Sequence, residues 1–307
     1  MKIGLVLEGG AMRGMFTAGV LDTFLDNDIK MDSVVGVSAG ALFGVNYLSG
    51  QKGRVIRYNK RFNKDKNYMG FHPLLREGNI VSTKYAYEDV PKTLDPFDDE
   101  AYKKSNVPFY AVVTNVATGN PEYIQIHSVF EQMDTLRASG SMPFVSKPVA
   151  IGDKKYLDGG IADSIPICKS IEDGNEKNVV ILTRDHGYRK APNKLMPIMR
   201  LRYPKYKEFL HAMETRHVRY NETIDFLEEQ EKEGKEWMES YLGIITGCTT
   251  AVPLDAALPC EDLIDLLNRS DSVALFLSPK LKPYLDAFLE NCPKLQKVWM
   301  LQEEVED

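Results

Sequence analysis

Cysteine is scarce and dispersed: Cys168, Cys248, Cys260 and Cys292 are the only four in 307 residues, and no two form a CxxC pair. That spacing excludes a zinc knuckle and a disulfide framework, leaving reduced, buried thiols as the expectation. Long apolar runs are missing as well. The longest, Val34 to Leu48, is interrupted by Ser38 and Asn46 and falls short of the roughly 20 residues that a membrane-spanning helix needs. At the amino terminus only Ile3 to Leu7 separates Lys2 from Glu8, too little for the core of a secretion signal. A soluble, cytoplasmic protein is the expectation. Net positive charge is lacking too: a formal charge of −6 gives no basic surface field with which to hold nucleic acid phosphates.

The chain does have alternating strands and helices. Ile3 to Leu7 is a continuous aliphatic strand, followed by a glycine loop and a half-buried helix marked by Met15, Ala18, Val20, Leu21 and Phe24. Val34 to Val37 is a second strand, which turns at Ser38 into a helix over Ala39 to Leu48. Lys60 to Lys104 is polar and broken by Pro73, Pro91 and Pro96, as expected of a peripheral insertion of short helices and loops. Strand composition returns at Pro108 to Ala117, at Tyr156 to Asp158 and at Val179 to Thr183. Ser128 to Ser139 has helical spacing, and Tyr206 to Glu233 predicts a long charged helix with Phe209, Met213, Ile224 and Leu227 inward. This order predicts an α/β fold with a doubly wound, mainly parallel sheet and helices on both faces. After about Lys235 a smaller βαβαβ rhythm begins: helices at Trp237 to Ile245, Cys260 to Leu267 and Leu281 to Leu289, with strands at Thr250 to Leu254, Val273 to Leu277 and Lys297 to Leu301. Two domains follow, residues 1–235 and 236–307.

Three clusters carry chemistry. In Gly36-Val37-Ser38-Ala39-Gly40 a serine sits on a tight strand-to-helix turn, flanked by residues small enough for strand and helix to meet. The helix that follows aims its free amides and dipole at any negative charge forming beside Ser38. In Glu8-Gly9-Gly10-Ala11-Met12-Arg13-Gly14 successive amides can converge on an anion, and Arg13 can add charge or lock the loop. An oxyanion hole and a phosphate cradle both suit it. A dinucleotide site would need GxGxxG spacing and an acidic residue ending the second strand, and neither is present. The third cluster, Asp158-Gly159-Gly160, ends a strand. By itself Asp-Gly is a common turn.

A histidine-assisted serine mechanism finds no well-placed partner. His211 and His217 lie on the charged helix and His186 sits among Arg184, Asp185 and Arg189, so each reads as a surface residue. Ser38 still needs a base, and a carboxylate at a neighbouring strand end can supply one if it is partly desolvated, since a free aspartate is weak at neutral pH.

Taken together, GGxxRG, GxSxG and DGG over Gly9 to Gly160, with Ala138-Ser139-Gly140-Ser141-Met142-Pro143-Phe144 before the aspartate, resemble the patatin-like phospholipase family, above all its bacterial cytoplasmic members. The resemblance covers roughly residues 1–235. It implies Ser38 as nucleophile, Asp158 as general base and an oxyanion hole at Gly9, Gly10, Ala11, Arg13 and Gly14. It also implies Gly36, Ala39 and Gly40 as the elbow and Gly159 and Gly160 as the turn beside the base. Phospholipids, lysophospholipids, acylglycerols or other fatty acyl esters would be the substrates, with no metal or organic cofactor. A catalytically weak scaffold that regulates a partner is the alternative. Glu236 to Val305 looks instead like a piece of the amino-terminal region of AMP-forming acyl-CoA ligases without the nucleotide loop. That suggests a fused or artificially joined fragment, or else a divergent tail.

Two basic stretches remain. Arg184 to Lys207, with Met196, Ile198, Met199, Leu201 and Tyr203, can rest on an anionic membrane or be a solvated loop. Arg54 to Lys66, with Tyr58 and Phe62, is expected to be a solvated helix.

Overall fold

The computed structural model describes residues 2–185, 187–232, 259–269, 272, 274–277 and 279–300. The chain divides into two compact units, Met1–Glu239 and Ser240–Asp307.

In the first unit β1 (Ile3–Leu7), α1 (Gly14–Asp26), β2 (Ser33–Val37) and α2 (Ala39–Leu48) give two successive strand-turn-helix units. Next come α3 (Arg54–Phe62), α4 (Phe71–Glu77), a π-helical segment (Tyr85–Leu94) and α5 (Asp99–Ser105). The last three are the short helices expected of the polar insertion. The order continues with β3 (Phe109–Asn115), β4 (Pro121–Gln125), α6 (Met133–Ser139), β5 (Val149–Ile151), β6 (Lys154–Asp158), α7 (Ile167–Glu172), β7 (Lys177–Ile181), α8 (Met196–Arg202) and α9 (Lys207–Lys232).

The seven strands form one sheet in the order β5-β6-β3-β2-β1-β7, with β4 also paired to β3. The β3, β2, β1 and β7 block is parallel, whereas β4, β6 and β5 join antiparallel. The sheet is therefore mostly parallel, and the strand carrying Asp158 runs against its neighbour.

Successive side chains of a strand point to opposite faces, so β1 and β2 carry aliphatic residues toward both. Leu5, Leu7 and Val34 face one core with Val45, Phe109 and Leu136. Val6, Val35 and Val37 face the other, with Val112, Ile165, Tyr220, Ile224 and Leu227. The long helix α9 covers this second face with its predicted apolar positions, while Phe209 and Met213 pack with Leu157, Ile161, Met196 and Met199.

Two sequence expectations need correction. The run from Arg54 to Lys66 is only half solvated: Arg54, Val55, Asn59 and Phe62 are buried. Arg54 is drawn in because Asp95 and the backbone carbonyls around it satisfy the guanidinium. Cysteine burial is mixed, since Cys168 is exposed, Cys260 half-buried and Cys292 buried; Cys248 lies outside the described residues. Cys168 falls on the outer side of the short α7, whose Ile167 and Ser170 turn inward.

In the second unit α10 (Cys260–Arg269), β8 (Ala274–Leu277), α11 (Leu285–Asn291) and β9 (Lys297–Met300) are described. The strands β8 and β9 pair in parallel over a small core of Leu263, Leu267, Leu277, Phe288 and Cys292. The helix expected at Trp237 to Ile245 and the strand at Thr250 to Leu254 lie outside the described residues. No helix among the described residues is long and apolar enough to cross a membrane.

Candidate active site

Strand register alone brings two of the three clusters together. Val112 of β3 pairs with Val37 on one side and Tyr123 of β4 on the other. The next residue, Val113, pairs with Glu122 of β4 and with Asp158. Because β4 keeps the same side throughout, β6 must occupy the lane that β2 vacates when the chain turns off at Ser38. The carboxyl ends of β2 and β6 thus meet head to head beside β3, with Ser38 and Asp158 as the facing termini.

Ser38 has φ 54° and ψ −119°, a left-handed conformation that a residue with a Cβ holds only at a cost of roughly 1–3 kcal/mol. The surrounding contacts enforce it. Ser38 N–H donates to Ser139 Oγ at 2.9 Å, and Ser139 Oγ–H donates to the Val112 carbonyl at 2.7 Å. Small residues permit the crossing: a Cβ on Gly40 would stand 2.5 Å from the Leu7 carbonyl oxygen, and one on Gly36 would stand 2.8 Å from the Gly40 carbonyl. The Ser38 Oγ–H donates to Asp158 Oδ2 at 2.8 Å. Both residues are nearly enclosed, 8% and 7% exposed.

Asp158 is held on every side. Its N–H donates to the Ser141 carbonyl, its own carbonyl accepts from Thr114 Oγ1 at 2.8 Å, and Oδ1 accepts from Gly160 N–H at 2.8 Å. Gly159 lies so close to the Val112 carbonyl that no Cβ fits. Burial raises the Asp158 carboxyl above the usual range; Arg216, the Ser38 hydroxyl, the Gly160 amide and Lys190 pull in the opposite direction without cancelling it. A carboxylate in this state is a better base than free aspartate.

The glycine loop closes over the serine. A Cβ on Gly9 would come within 3.1 Å of Ser38 Cβ, and one on Gly14 within 2.9 Å of Ala39 Cβ. Gly9 N–H already leans on the Ser164 carbonyl at 3.4 Å. Among the described residues Gly10, Ala11 and Met12 N–H have no protein acceptor, so the loop's open donors run from Gly10 to Met12 and do not include Gly9. Arg13 locks the loop, its Nε donating to the Thr183 carbonyl at 3.1 Å. Buried Glu8 anchors the same strand end by accepting from Thr183 Oγ1 at 3.0 Å.

Two cations escaped sequence reasoning. Arg216 of α9 donates through Nε to the Gly160 carbonyl and supplies the strongest electrostatic pull on Asp158. Lys190 donates to Ser164 Oγ at 3.4 Å and stands 3.9 Å from the Tyr220 ring centre. Its pKa falls to about 7, through burial first, then Arg216, with Arg184 and Arg13 adding to the effect and Glu8 opposing it. Nothing local in the sequence marks either residue, since both sit in strongly charged stretches. No described histidine touches the pair: His211 is exposed and His217 Nδ1 lies 3.0 Å from the Glu214 carbonyl, while His186 lies outside the described residues.

A cavity of about 210 Å³ opens from Ser38, Ala11 and Met12 along α2. Its walls are largely apolar, which suits an acyl chain.

Comparison with known proteins bears on the family. The profile of the patatin-like phospholipase family matches residues 5–168. The uncharacterized protein YjjU of Escherichia coli (strain K12) is 32% identical over 188 residues, 59% of this chain and 52% of that protein. The neuropathy target esterase sws of Drosophila melanogaster is 27% identical over 167 residues, 54% of this chain and 12% of that protein. The chain thus spans about half the length of the first relative and a small part of the second. VipD from Legionella pneumophila aligns over 94% of this chain and 80% of its own at 12% identity, with a TM-score of 0.36, too slight a likeness to argue from. The likeness of Glu236 to Val305 to acyl-CoA ligases gains no support from these relatives. Since the matched region spans more than half of the chain and contains Ser38, Asp158 and all three loops, the protein belongs to the patatin-like phospholipase family.

Proposed function

We propose that the first unit is a serine-dependent lipid acyl hydrolase of the carboxylic ester class. The observation that carries this reading is the 2.8 Å hydrogen bond from Ser38 Oγ to Asp158 Oδ2 in a buried, desolvated setting. Asp158 takes the Ser38 proton while Oγ bonds to the acyl carbon, and the carbonyl electrons move onto oxygen. Gly10 and Ala11 N–H hold that oxyanion. As the intermediate collapses, the alcohol leaves with the proton returned by Asp158, and an acyl-serine remains. Water, deprotonated by the same carboxylate, then attacks the acyl carbon; the bond to Oγ breaks as Asp158 returns the proton to Ser38, and the fatty acid is released. The family and the esterase relative support fatty acyl esters, phospholipids included, as the substrate class. A scaffold without turnover would have no use for the strained Ser38.

An alkyl fluorophosphonate tests the nucleophile, because attack by Oγ forms a phosphorus–oxygen bond and expels fluoride. Mass spectrometry of the digested protein should find one adduct, on the Ser38 peptide, and none after Ser38→Ala. An adduct elsewhere, or none at all, rejects the assignment.

Contact with an anionic lipid surface belongs to the same proposal. The stretch Arg184 to Lys207 splits cleanly: Met196, Met199 and Tyr203 face inward, while Leu195, Ile198 and Leu201 face solvent, Leu201 at 82% exposure. Exposed Lys194, Arg202, Lys205 and Lys207 surround them. Phe71 and Leu75 of α4 add a second exposed pair at 82% and 86%. The loop before β5 bonds to the chain after α4 and to the end of α8, Ile80 N–H donating to the Val145 carbonyl and Phe144 N–H to Tyr203 Oη. Apolar side chains ringed by cations partition into anionic interfaces. Sedimentation with phosphatidylserine-containing vesicles should show binding that drops at least about tenfold for Ile198→Asp with Leu201→Asp and weakens at about 0.5 M salt. Equal binding by that variant removes this contact from the proposal.

A further inference from the structure

The cavity beside Ser38 ends, on its α2 side, at a charged cluster. One wall is α2, whose Ala39, Leu42, Phe43 and Val45 line it in turn before Asn46. At a rise of ~1.5 Å per residue, Asn46 lies about 12 Å along the helix axis from Ser38. There the cavity meets a polar floor, with Val90 and Phe97 of the lining beside it. Arg54 donates through Nη1 to Asn46 Oδ1 at 2.7 Å and through Nε to the Asp95 and Pro96 carbonyls at 3.2 Å each. Its Nε also lies 3.3 Å from Asp95 Oδ1, with both side chains about 95% buried. The floor is cross-braced by Arg57, which grips both Asp95 carboxylate oxygens. Arg54 and Asn46 both line the cavity.

A methyl end reaching this floor meets the Arg54 guanidinium, which is flanked by the Tyr58 and Phe97 rings at 5.3 Å each, and pushing past it would open a buried ion pair, which is strongly unfavourable. Two independent measures set the chain that fits. An extended alkyl chain with C–C bonds near 1.5 Å advances about 1.25 Å per carbon, so 12 Å takes about ten carbons. By volume, a cavity of about 150 Å³ holds benzene, roughly 25 Å³ per carbon, and 210 Å³ takes about eight.

We infer that the enzyme is selective for medium-chain acyl groups of about eight to ten carbons, with the Arg54–Asp95–Asn46 floor as the ruler. This rests on Ser38 being the acylated residue. The test is a series of p-nitrophenyl esters from acetate to palmitate, each kept below its critical micelle concentration. From the free energy of burying a methylene, kcat/KM should rise up to about fourfold per added carbon, peak at eight to ten carbons, and fall at least about tenfold by sixteen. Val90, whose carbonyl accepts the Asp95 N–H, lines the cavity next to the floor; Val90→Phe should move the peak to four to six carbons. Val45→Phe serves as a second shortening variant. The ratio of ten-carbon to four-carbon kcat/KM is the readout, because it is independent of the fraction of protein folded.

A profile still climbing at sixteen carbons, a flat profile, or an unmoved peak in both variants overturns the ruler. Binding of straight-chain methyl ketones to Ser38→Ala protein separates this result from failure of the hydrolase reading. A break at the same length without wild-type turnover keeps the ruler and rejects the chemistry. Turnover that depends on Ser38 with no break in either series does the reverse.

Discussion

Ser38→Ala should lower kcat/KM for ester hydrolysis by about 10⁴- to 10⁶-fold and Asp158→Asn by about 10³- to 10⁴-fold, and the double variant should be no worse than Ser38→Ala alone. The non-additivity follows from geometry. Asp158 has no work to do without the hydroxyl that donates to it at 2.8 Å, so removing both members removes one function. A residual rate above that of water is expected in every variant, because the Gly10 and Ala11 amides and the apolar cavity remain. The Asn side chain can still occupy the space of Asp158 and keep one oxygen toward Gly160 N–H, so the loss reports missing basicity rather than a collapsed turn. Thermal unfolding of each variant checks this, with midpoints expected within a few degrees of the wild type. Equal rates for all four proteins would remove Ser38 and Asp158 from the chemistry, and a doubling of the free-energy loss in the double variant would show that they act separately.

How much of this was legible beforehand varies by type of signal. Periodicity marked β1, β2 and α9, because a strand buried on both faces reads as an unbroken aliphatic run and a one-sided helix as a spaced one. The elbow was legible because few sequences fit a serine where strand and helix cross. What sequence could not show is that β6 takes the lane left by β2. Parallel and antiparallel neighbours have the same local pattern, and the distinction rests on Val113 pairing with Glu122 on one side and Asp158 on the other. Charged residues were the other blind spot. Arg54 and Arg216 both sit among cations, and only tertiary packing shows that one is sealed against Asp95 while the other faces Asp158. Ser139, which bridges the elbow to β3, lies in the Ala138 to Phe144 stretch that resembles the family, and its role becomes visible only with the strands in place.

Arg216→Gln should displace the acid limb of the pH–kcat/KM profile upward by about 1–3 units, the amount by which a neighbouring arginine ordinarily lowers an aspartate. The direction follows from the groups facing the carboxyl. Burial already holds Asp158 above the usual carboxylate range, and Arg216, the Ser38 hydroxyl, the Gly160 amide and Lys190 keep the rise in check. Only the ionised form can accept the Ser38 proton, so activity grows as pH rises through the Asp158 pKa. Removing the largest opposing charge must therefore move that rise to higher pH. Lys190 limits the displacement. Its pKa of about 7 is depressed partly by Arg216, so in the variant Lys190 gains charge and replaces some of the lost attraction. Arg216→Gln with Lys190→Met should accordingly shift the limb further than Arg216→Gln alone, and Arg216→Lys should stay near the wild type. A limb that does not move would mean that Arg216 serves only to hold the Gly160 carbonyl, in which case kcat falls at all pH values with the profile unchanged in shape.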